Sequence, residues 1–175
     1  ILKRLVLNRK PRCLLIRLVG TTPAPVAPAK NIRSVMVSKQ FKLKPGQVDY
    51  TNVRWAPVIN CVLQFKNKIL VVERGHSLNF YPGYWNGISG FLDDQCSLRQ
   101  KVTEELKEEL GISRRYIKSI KLGEIFDQEA PRYKKTWVVH PVLVELGTDK
   151  VKLDWEAKNY RWITVTETKS LKLLP

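Results

Sequence analysis

Four glutamates fall in the last two turns of one short predicted helix, and this arrangement constrains the chain more than any other feature. Ser97 and Gln100 have the spacing of a capping box, and Gly111 is a helix stop. The helix therefore runs from about Ser97 to Gly111. Its apolar positions recur every four residues, at Leu98, Val102, Leu106 and Leu110. The four glutamates are Glu104, Glu105, Glu108 and Glu109.

Three of these glutamates share one face of the helix. At about 100° per residue, Glu105, Glu108 and Glu109 lie within about 100° of one another along the edge of the apolar stripe. Each close pair costs roughly 0.2 to 0.5 kcal/mol in an isolated helix, and negative charge near a helix C-terminus also opposes the helix dipole. Lys101 and Lys107 offset part of the repulsion. A hard divalent cation offsets it more completely, because it takes oxygen ligands and carries two charges.

The glutamate run taken alone is also typical of a solvated helix face. The residues before it favour a site. A predicted turn over residues 82–85 leads into a short strand over residues 88–90, which delivers Gly90 to a loop just before the capped helix. The order of strand, glycine loop and acidic helix therefore indicates a functional unit.

This unit resembles the Nudix box, whose pattern is Gly, five residues, Glu, seven residues, Arg-Glu, an aliphatic, any residue, Glu-Glu, any residue, Gly, aliphatic. The box spans residues 90–112, and the wider resemblance covers about residues 36–175. Two positions depart from the pattern, since Cys96 replaces the first Glu and Glu104 replaces the Arg. The matching positions are Gly90, Glu105, Leu106, Glu108, Glu109, Gly111 and Ile112.

The resemblance implies a metal-dependent hydrolase. In the family, the matching glutamates hold magnesium or manganese, so Mg²⁺ or Mn²⁺ is expected on Glu105, Glu108 and Glu109, with the carbonyl of Gly90 completing the set. Glu105 is also the first candidate to position or activate the attacking water. Lys101, one turn before Glu105 on the same side, is a candidate to replace the missing Arg.

Many members of the family use another carboxylate outside the box as the base. The candidates in this chain are Asp127, Glu124, Glu129 and Glu156. Glu129 is favoured, because residues 127–132 are predicted to form a loop between two strands. Glu156 has an equally good interpretation as a support for the strand that follows it.

Substrate recognition is less visible in the sequence. Arg74, just after a strand, is a candidate to meet a phosphate, and Trp85 is a candidate to stack on a base. Packing is the competing interpretation for Trp85, and a solvated surface role is the competing one for Arg74. The predicted function is hydrolysis of a nucleoside diphosphate-linked or other diphosphate small molecule, with water attacking phosphorus. The alternative is a catalytically impaired Nudix-fold module that binds nucleotide or RNA.

The whole sequence favours one domain with a basic extension. It has 175 residues, 43% of them hydrophobic, which suffices for one core. The net charge of +15 is uneven: eleven bases precede Asp49, the first acid, whereas the rest of the chain holds 20 bases and 16 acids. The predicted division is an extension with a Pro/Ala stretch over residues 1–35 and a Nudix-like domain over residues 36–175, beginning at the only methionine. The extension is interpreted as a fused or processed segment, an organelle transit segment, or a basic arm for phosphate backbones or an acidic partner.

Strands are predicted at about residues 57–65, 69–73, 88–90, 117–126, 135–145 and 159–163, with a short final helix after Thr164 and Glu167. Together with the box helix they predict an α/β fold, a Nudix-type α/β/α sandwich with a mixed sheet. The three cysteines share no metal-ligand spacing, which favours a reducing, cytoplasmic location, with organelle import left open. The apolar run at 14–19 is too short to span a bilayer. A homodimer is plausible from the resemblance.

Overall fold

The first strand, β1 (Trp55–Phe65), is central to an eight-stranded mixed sheet in the computed structural model, which describes residues 45–175. β1 pairs in parallel with β7 (Lys135–Leu146). On its other side it pairs antiparallel with β2 (Lys68–Arg74) and β4 (Ile88–Phe91). The strand that contains the glycine of the box therefore lies directly beside the centre of the sheet.

The remaining strands extend this sheet on both sides. β3 (Trp85–Asn86) and β8 (Ala157–Ile163) pair with β2. β5 (Ile117–Leu122) and β6 (Phe126–Ala130) both pair with β7. The β1–β7 pair is parallel and the other pairs of the described sheet are antiparallel, so the predicted mixed sheet is confirmed.

The acidic helix, α1, spans Leu98–Leu110 with the predicted caps. The Ser97 hydroxyl accepts from the Gln100 amide at 3.4 Å, and the Gln100 side chain accepts from the Ser97 amide at 2.9 Å. Gly111 ends the helix in the left-handed region at φ 64°, a conformation that residues with a Cβ adopt only at a cost. Local sequence thus fixes both ends of the helix that carries the glutamates.

The apolar stripe of α1 packs on one face of the sheet and forms the larger core. Because strand side chains alternate between faces, the inward positions of β1 and β7 recur every second residue. The fully or almost fully buried side chains of this core include Val102, Leu106 and Leu110 from α1, Ile59, Cys61 and Leu63 from β1, and Val142, Val144 and Leu146 from β7. This packing holds the acidic edge of the helix against the sheet.

The opposite face of the sheet carries a smaller, aromatic core. Its buried members are Ala56, Ala130, Trp137 and Val139, and Phe80, Phe91 and Tyr133 pack against them. The predicted final helix is a short 3-10 helix, Thr166–Ser170, after the cap formed by Thr164 and Glu167. Within residues 45–175, α1 is the one α-helix and packs on the mixed sheet, so the predicted α/β class is confirmed, whereas the second layer of the expected sandwich contains no α-helix in this part of the chain.

Two predicted boundaries were wrong between residues 117 and 132. The single strand expected over 117–126 is broken into β5 and β6, and the expected loop over 127–132 begins as strand β6. The cause is Pro141 in β7, which has no N–H for the sheet ladder. β5 pairs with β7 beyond Pro141 and β6 pairs with it before Pro141, while the Gly123 amide donates to the Pro141 carbonyl at 2.8 Å.

The predicted boundary at residue 36 and the basic extension before it lie outside the described residues. Between residues 45 and 175, no helix is both long enough and apolar enough to cross a bilayer.

Leu106→Ala should lower the free energy of unfolding by about 2 to 5 kcal/mol, because the side chain is completely buried between α1 and the sheet. Chemical denaturation of the purified protein measures this change. Leu122→Ala is the matched control, since Leu122 is half exposed and its truncation should cost less than about 0.5 kcal/mol. Equal losses in the two variants would contradict the assigned core.

Candidate active site

Glu105 lies against Gly90, and this contact explains the glycine. The register of β4 on β1 places Gly90 opposite Ile59, on the face of the sheet that α1 covers. A Cβ atom on Gly90 would overlap the carboxylate of Glu105. The Glu105 side chain is only 15% exposed. Glycine at this position therefore lets a carboxylate of α1 approach the backbone of β4.

Lys101 supplies the positive charge beside Glu105. Its Nζ atom is 3.0 Å from a carboxylate oxygen of Asp93, 3.1 Å from one of Asp94 and 3.5 Å from Oε1 of Glu105. Lys101 itself is 7% exposed. It joins the loop after Gly90 to the first turns of α1, and it makes the contact to Glu105 expected of a substitute for the missing Arg.

Asp93 and Asp94 were not singled out from the sequence. They precede α1 in an irregular loop, so no helical or strand periodicity relates them to Lys101. The only local signal is an Asp-Asp pair before an N-cap, which is common in loops.

Glu156 joins the site at the C-terminal end of α1. The Asp154 amide donates to the Glu109 carbonyl at 3.0 Å, and the Gly75 amide donates to the Glu156 carbonyl at 2.7 Å. These two bonds hold the segment 154–156 between the end of α1 and the end of β2. Glu109, 8% exposed, faces the same region.

Arg74 is the positive group at this end. Its Nε donates to the Phe80 carbonyl at 3.0 Å, and its guanidinium lies close enough to Glu109 and Glu156 to attract both. Burial lowers the pKa of Arg74, whereas the two carboxylates oppose that change. The predicted phosphate ligand therefore lies inside the acidic site and is not on a solvated surface.

The carboxylates are desolvated and repel one another. Burial raises the pKa of Glu105 to about 7, with Lys101 opposing the change and Glu108 adding to it. Burial, followed by the charges of Glu105 and Glu156, raises the pKa of Glu109 well above its ordinary value. Burial also raises the pKa of Glu156. Clusters of such perturbed groups are concentrated at functional sites.

This donor set suits a hard divalent cation. It consists of carboxylate oxygens, and among residues 45–175 the Glu109 carboxylate accepts no side-chain hydrogen bond, although Arg74 is close enough to attract it. A buried carboxylate without such a partner is costly unless its charge is compensated. The Gly90 backbone beside Glu105 adds a carbonyl oxygen of the type that Mg²⁺ and Mn²⁺ accept.

A tighter group of possible ligands consists of two residues in the loop before α1 and one in the middle of the helix. In the described part of the chain, the ligand atoms of this group, which are those of Asp94, Cys96 and Glu104, all lie within 4.8 Å of one another. The carboxylate oxygens of the three box glutamates do not come within this distance of one another. Cys96 and Glu104 are the two departures from the box, and they contact each other, with Sγ 3.7 Å from Oε1. Partial desolvation and the neighbouring Asp94 and Glu104 raise the pKa of Cys96, which disfavours the thiolate. Lys101 contacts Asp94 of this group at 3.1 Å and Glu105 of the box at 3.5 Å, so one lysine adjoins both sets of carboxylates.

The structure does not bring Glu129 to this site. Glu129 is exposed on β6 opposite Thr136, which pairs with Trp55. Trp55 is four residues, or about 13 Å, along β1 from Ile59, the partner of Gly90. The loop on which the choice of Glu129 rested is a strand, and Glu156 is the carboxylate outside the box that does reach the cluster.

Trp85 lies on the other face of the sheet. It pairs with Glu73 in β3 and β2, whereas its neighbour Asn86 pairs with Val72 of the main core. Because successive strand residues alternate, Trp85 points away from α1. The Arg161 guanidinium stacks over the Trp85 ring at 5.1 Å. Trp85 therefore packs against the strand edge and does not line the acidic site.

The comparisons with known proteins agree with this fold and box. The sequence profile of the NUDIX domain matches residues 53–175, and the chain therefore belongs to the Nudix hydrolase family. Members of this family are pyrophosphohydrolases of nucleoside diphosphate derivatives and generally use divalent metals. The uncharacterized Nudix hydrolase YvcI of Bacillus subtilis (strain 168) is 25% identical over 121 residues, which cover 67% of this chain and 72% of YvcI.

Solved structures share the fold. An Ap4A hydrolase from C. elegans, solved as a binary complex, superposes with a TM-score of 0.54 and 21% identity over 67% of this chain and 85% of its own. The NUDIX domain of NrtR from Shewanella oneidensis, solved with ADP ribose, gives a TM-score of 0.57 and 18% identity over 68% of this chain and 79% of its own.

Glu105→Gln should make the unfolding free energy less dependent on pH. Because the pKa of Glu105 is about 7 in the fold and 4.5 ordinarily, the unfolded state loses its proton first and stability falls as pH rises between these values. Gln does not titrate, so in EDTA the variant should gain about 1 to 3 kcal/mol over the wild type above pH 7 and less below pH 4.5. Denaturation at a series of pH values measures this difference.

Glu104→Gln is the control, since Glu104 is exposed on the same helix. A stability difference between Glu105→Gln and the wild type that stays constant with pH would contradict a desolvated Glu105.

Proposed function

We propose that the protein is a metal-dependent hydrolase of nucleoside diphosphate-linked small molecules, in which water attacks phosphorus. The observation that carries this proposal is a cluster of desolvated, mutually repelling carboxylates, with Glu105 and Glu109 on the family's box helix and Glu156 on the segment beside the end of that helix. A cluster of this kind is costly for folding unless a cation compensates its charge, and a divalent cation held there would neutralise charge on a diphosphate.

Glu105, Glu108 and Glu109, with the Gly90 carbonyl, would hold Mg²⁺ or Mn²⁺. When bound, the cation supplies charge neutralisation at phosphate oxygens and lowers the pKa of a bound water. The residues of the chain contribute by positioning the Glu105 carboxylate. Gly90 leaves room for the Glu105 carboxylate, and Lys101 pairs with Oε1 of Glu105 at 3.5 Å.

Glu105 and Glu156 are our candidates for the group that positions and deprotonates the water. Without a cation, burial raises the pKa of Glu105 to about 7, and a bound cation would favour its charged, proton-accepting form. Glu156 supplies a second carboxylate when Glu105 is engaged by the cation. We assign Arg74 to hold Glu109 and Glu156 in place and to meet a substrate phosphate from that position.

The free cysteines are the basis for a proposal about the cellular compartment of the protein. Cys61 and Cys96 are both free thiols, and Cys61 is buried in the core. A reducing compartment such as the cytoplasm keeps such thiols reduced.

Glu104 supports a second candidate function. It stands where the family pattern has Arg, and it contacts Cys96 and not Glu105. If this change disables catalysis, the protein is a nucleotide- or RNA-binding module whose basic extension supplies affinity. Such a module would bind RNA with strong salt dependence and lose this affinity on removal of residues 1–35.

Glu108→Gln should abolish the release of phosphate or pyrophosphate from a panel of nucleoside diphosphate derivatives with Mg²⁺ or Mn²⁺. The expected cause is loss of a carboxylate ligand on the exposed side of the cation. A phosphate-release assay measures it, and Glu124→Gln, at an exposed position between β5 and β6, is the control that should keep wild-type rates. A panel that stays silent at micromolar wild-type enzyme with either metal would count against the hydrolase.

Glu156→Gln should lower kcat by about 10² to 10⁴, because the carboxylate reaches the acidic cluster. Glu129→Gln should leave kcat within about twofold, because Glu129 is exposed on a distant strand. Steady-state kinetics of the two variants compare the two carboxylates directly. The reverse ranking would restore Glu129 as the base and remove Glu156 from the site.

A further inference from the structure

Trp155 is a large aromatic side chain left in solvent beside the acidic site. It is 51% exposed, although indole side chains are usually well buried. Its sequence neighbours are Asp154 and Glu156, whose carboxylates are both partly desolvated. Among the exposed large apolar residues of the described chain, Trp155 is the one that adjoins a member of the acidic cluster.

The backbone on both sides of Trp155 is fixed. The Asp154 amide is bonded to the end of α1 through the Glu109 carbonyl at 3.0 Å. The Glu156 amide is bonded to Oδ1 of Asp154 at 2.9 Å, and the Glu156 carbonyl accepts from Gly75 at 2.7 Å. A Cβ atom on Gly75 would lie 2.9 Å from that carbonyl, so the two segments are in close contact. The backbone that carries the indole is therefore held on both sides of Trp155.

We propose that Trp155 stacks on the base of the nucleoside half of the substrate. This inference rests on the proposed function, because it takes the diphosphate to lie over Glu105 and Glu109. Consecutive Cα atoms are about 3.8 Å apart. The Cα atom of Trp155 therefore lies next to that of Glu156, whose carboxylate belongs to the acidic cluster. Its ring offers a flat π surface at the rim, and stacking on an aromatic side chain is tolerant of base identity.

Trp85 and Phe80 are not available for this role. Trp85 packs under Arg161 on the far face of the sheet. Phe80 packs edge to face on Tyr133 and Trp137, with ring centroids 5.2 and 5.0 Å apart. Stacking at Trp155 would favour nucleoside diphosphates over diphosphates that carry no ring.

Calorimetric titration with ADP and with inorganic pyrophosphate, both in Mg²⁺, tests the stacking. Trp155→Ala should raise the Kd of ADP by about 5- to 100-fold and leave the Kd of pyrophosphate within twofold, because only ADP has a base. Trp155→Phe should keep most of the ADP affinity. Trp55→Ala is the matched control, since Trp55 is 49% exposed but lies at the far end of β1, and it should change neither constant.

An unchanged Kd for ADP in Trp155→Ala would overturn the proposal, as would an equal increase for both ligands or a wild type that binds ADP no tighter than pyrophosphate. Hydrolysis is scored separately on the nucleotide panel. Base-dependent binding in a protein with a silent panel would retain the stacking and reject the hydrolase. An active enzyme whose binding ignores Trp155 would reject the stacking alone.

Discussion

The approach of Glu105 to the backbone at Gly90 is the contact on which the site depends. It brings a carboxylate of α1 against the strand next to the centre of the sheet, where water is largely excluded. The same exclusion raises the pKa of Glu105 and makes a positive partner necessary. Lys101 fills that role and also secures the loop that carries Asp93, so one buried lysine links the glycine loop to the helix.

The free energy gained by burying the large core offsets the cost of this arrangement. A desolvated carboxylate such as Glu109 opposes folding, whereas Leu106 and Leu110 on the adjacent stripe are almost completely buried and favour it. The helix therefore has an apolar stripe for stability and an acidic edge for chemistry. Cys96, just before α1, and Glu104, in the middle of α1, depart from the family pattern and contact each other, so the two changes fall in one place.

Much of the fold could be predicted because its signals are local. The cap at Ser97, the stop at Gly111 and the apolar repeat between them define α1 without reference to the rest of the chain. Prediction failed around Pro141, because a missing N–H in β7 breaks a partner strand some twenty residues earlier in the sequence. That break made the position of Glu129 look like a loop.

The sequence by itself determined the helix, its acidic edge and the resemblance to the Nudix box, since caps and periodicity act over a few residues. Only the tertiary structure decided which distant groups meet that edge. Backbone contacts between the end of α1 and the end of β2 bring Glu156 and Arg74 to that edge. Because side chains alternate between the two faces along β3, Trp85 points away from it. Pairings of this kind depend on strand register and chain crossing, which side-chain patterns along one segment do not encode.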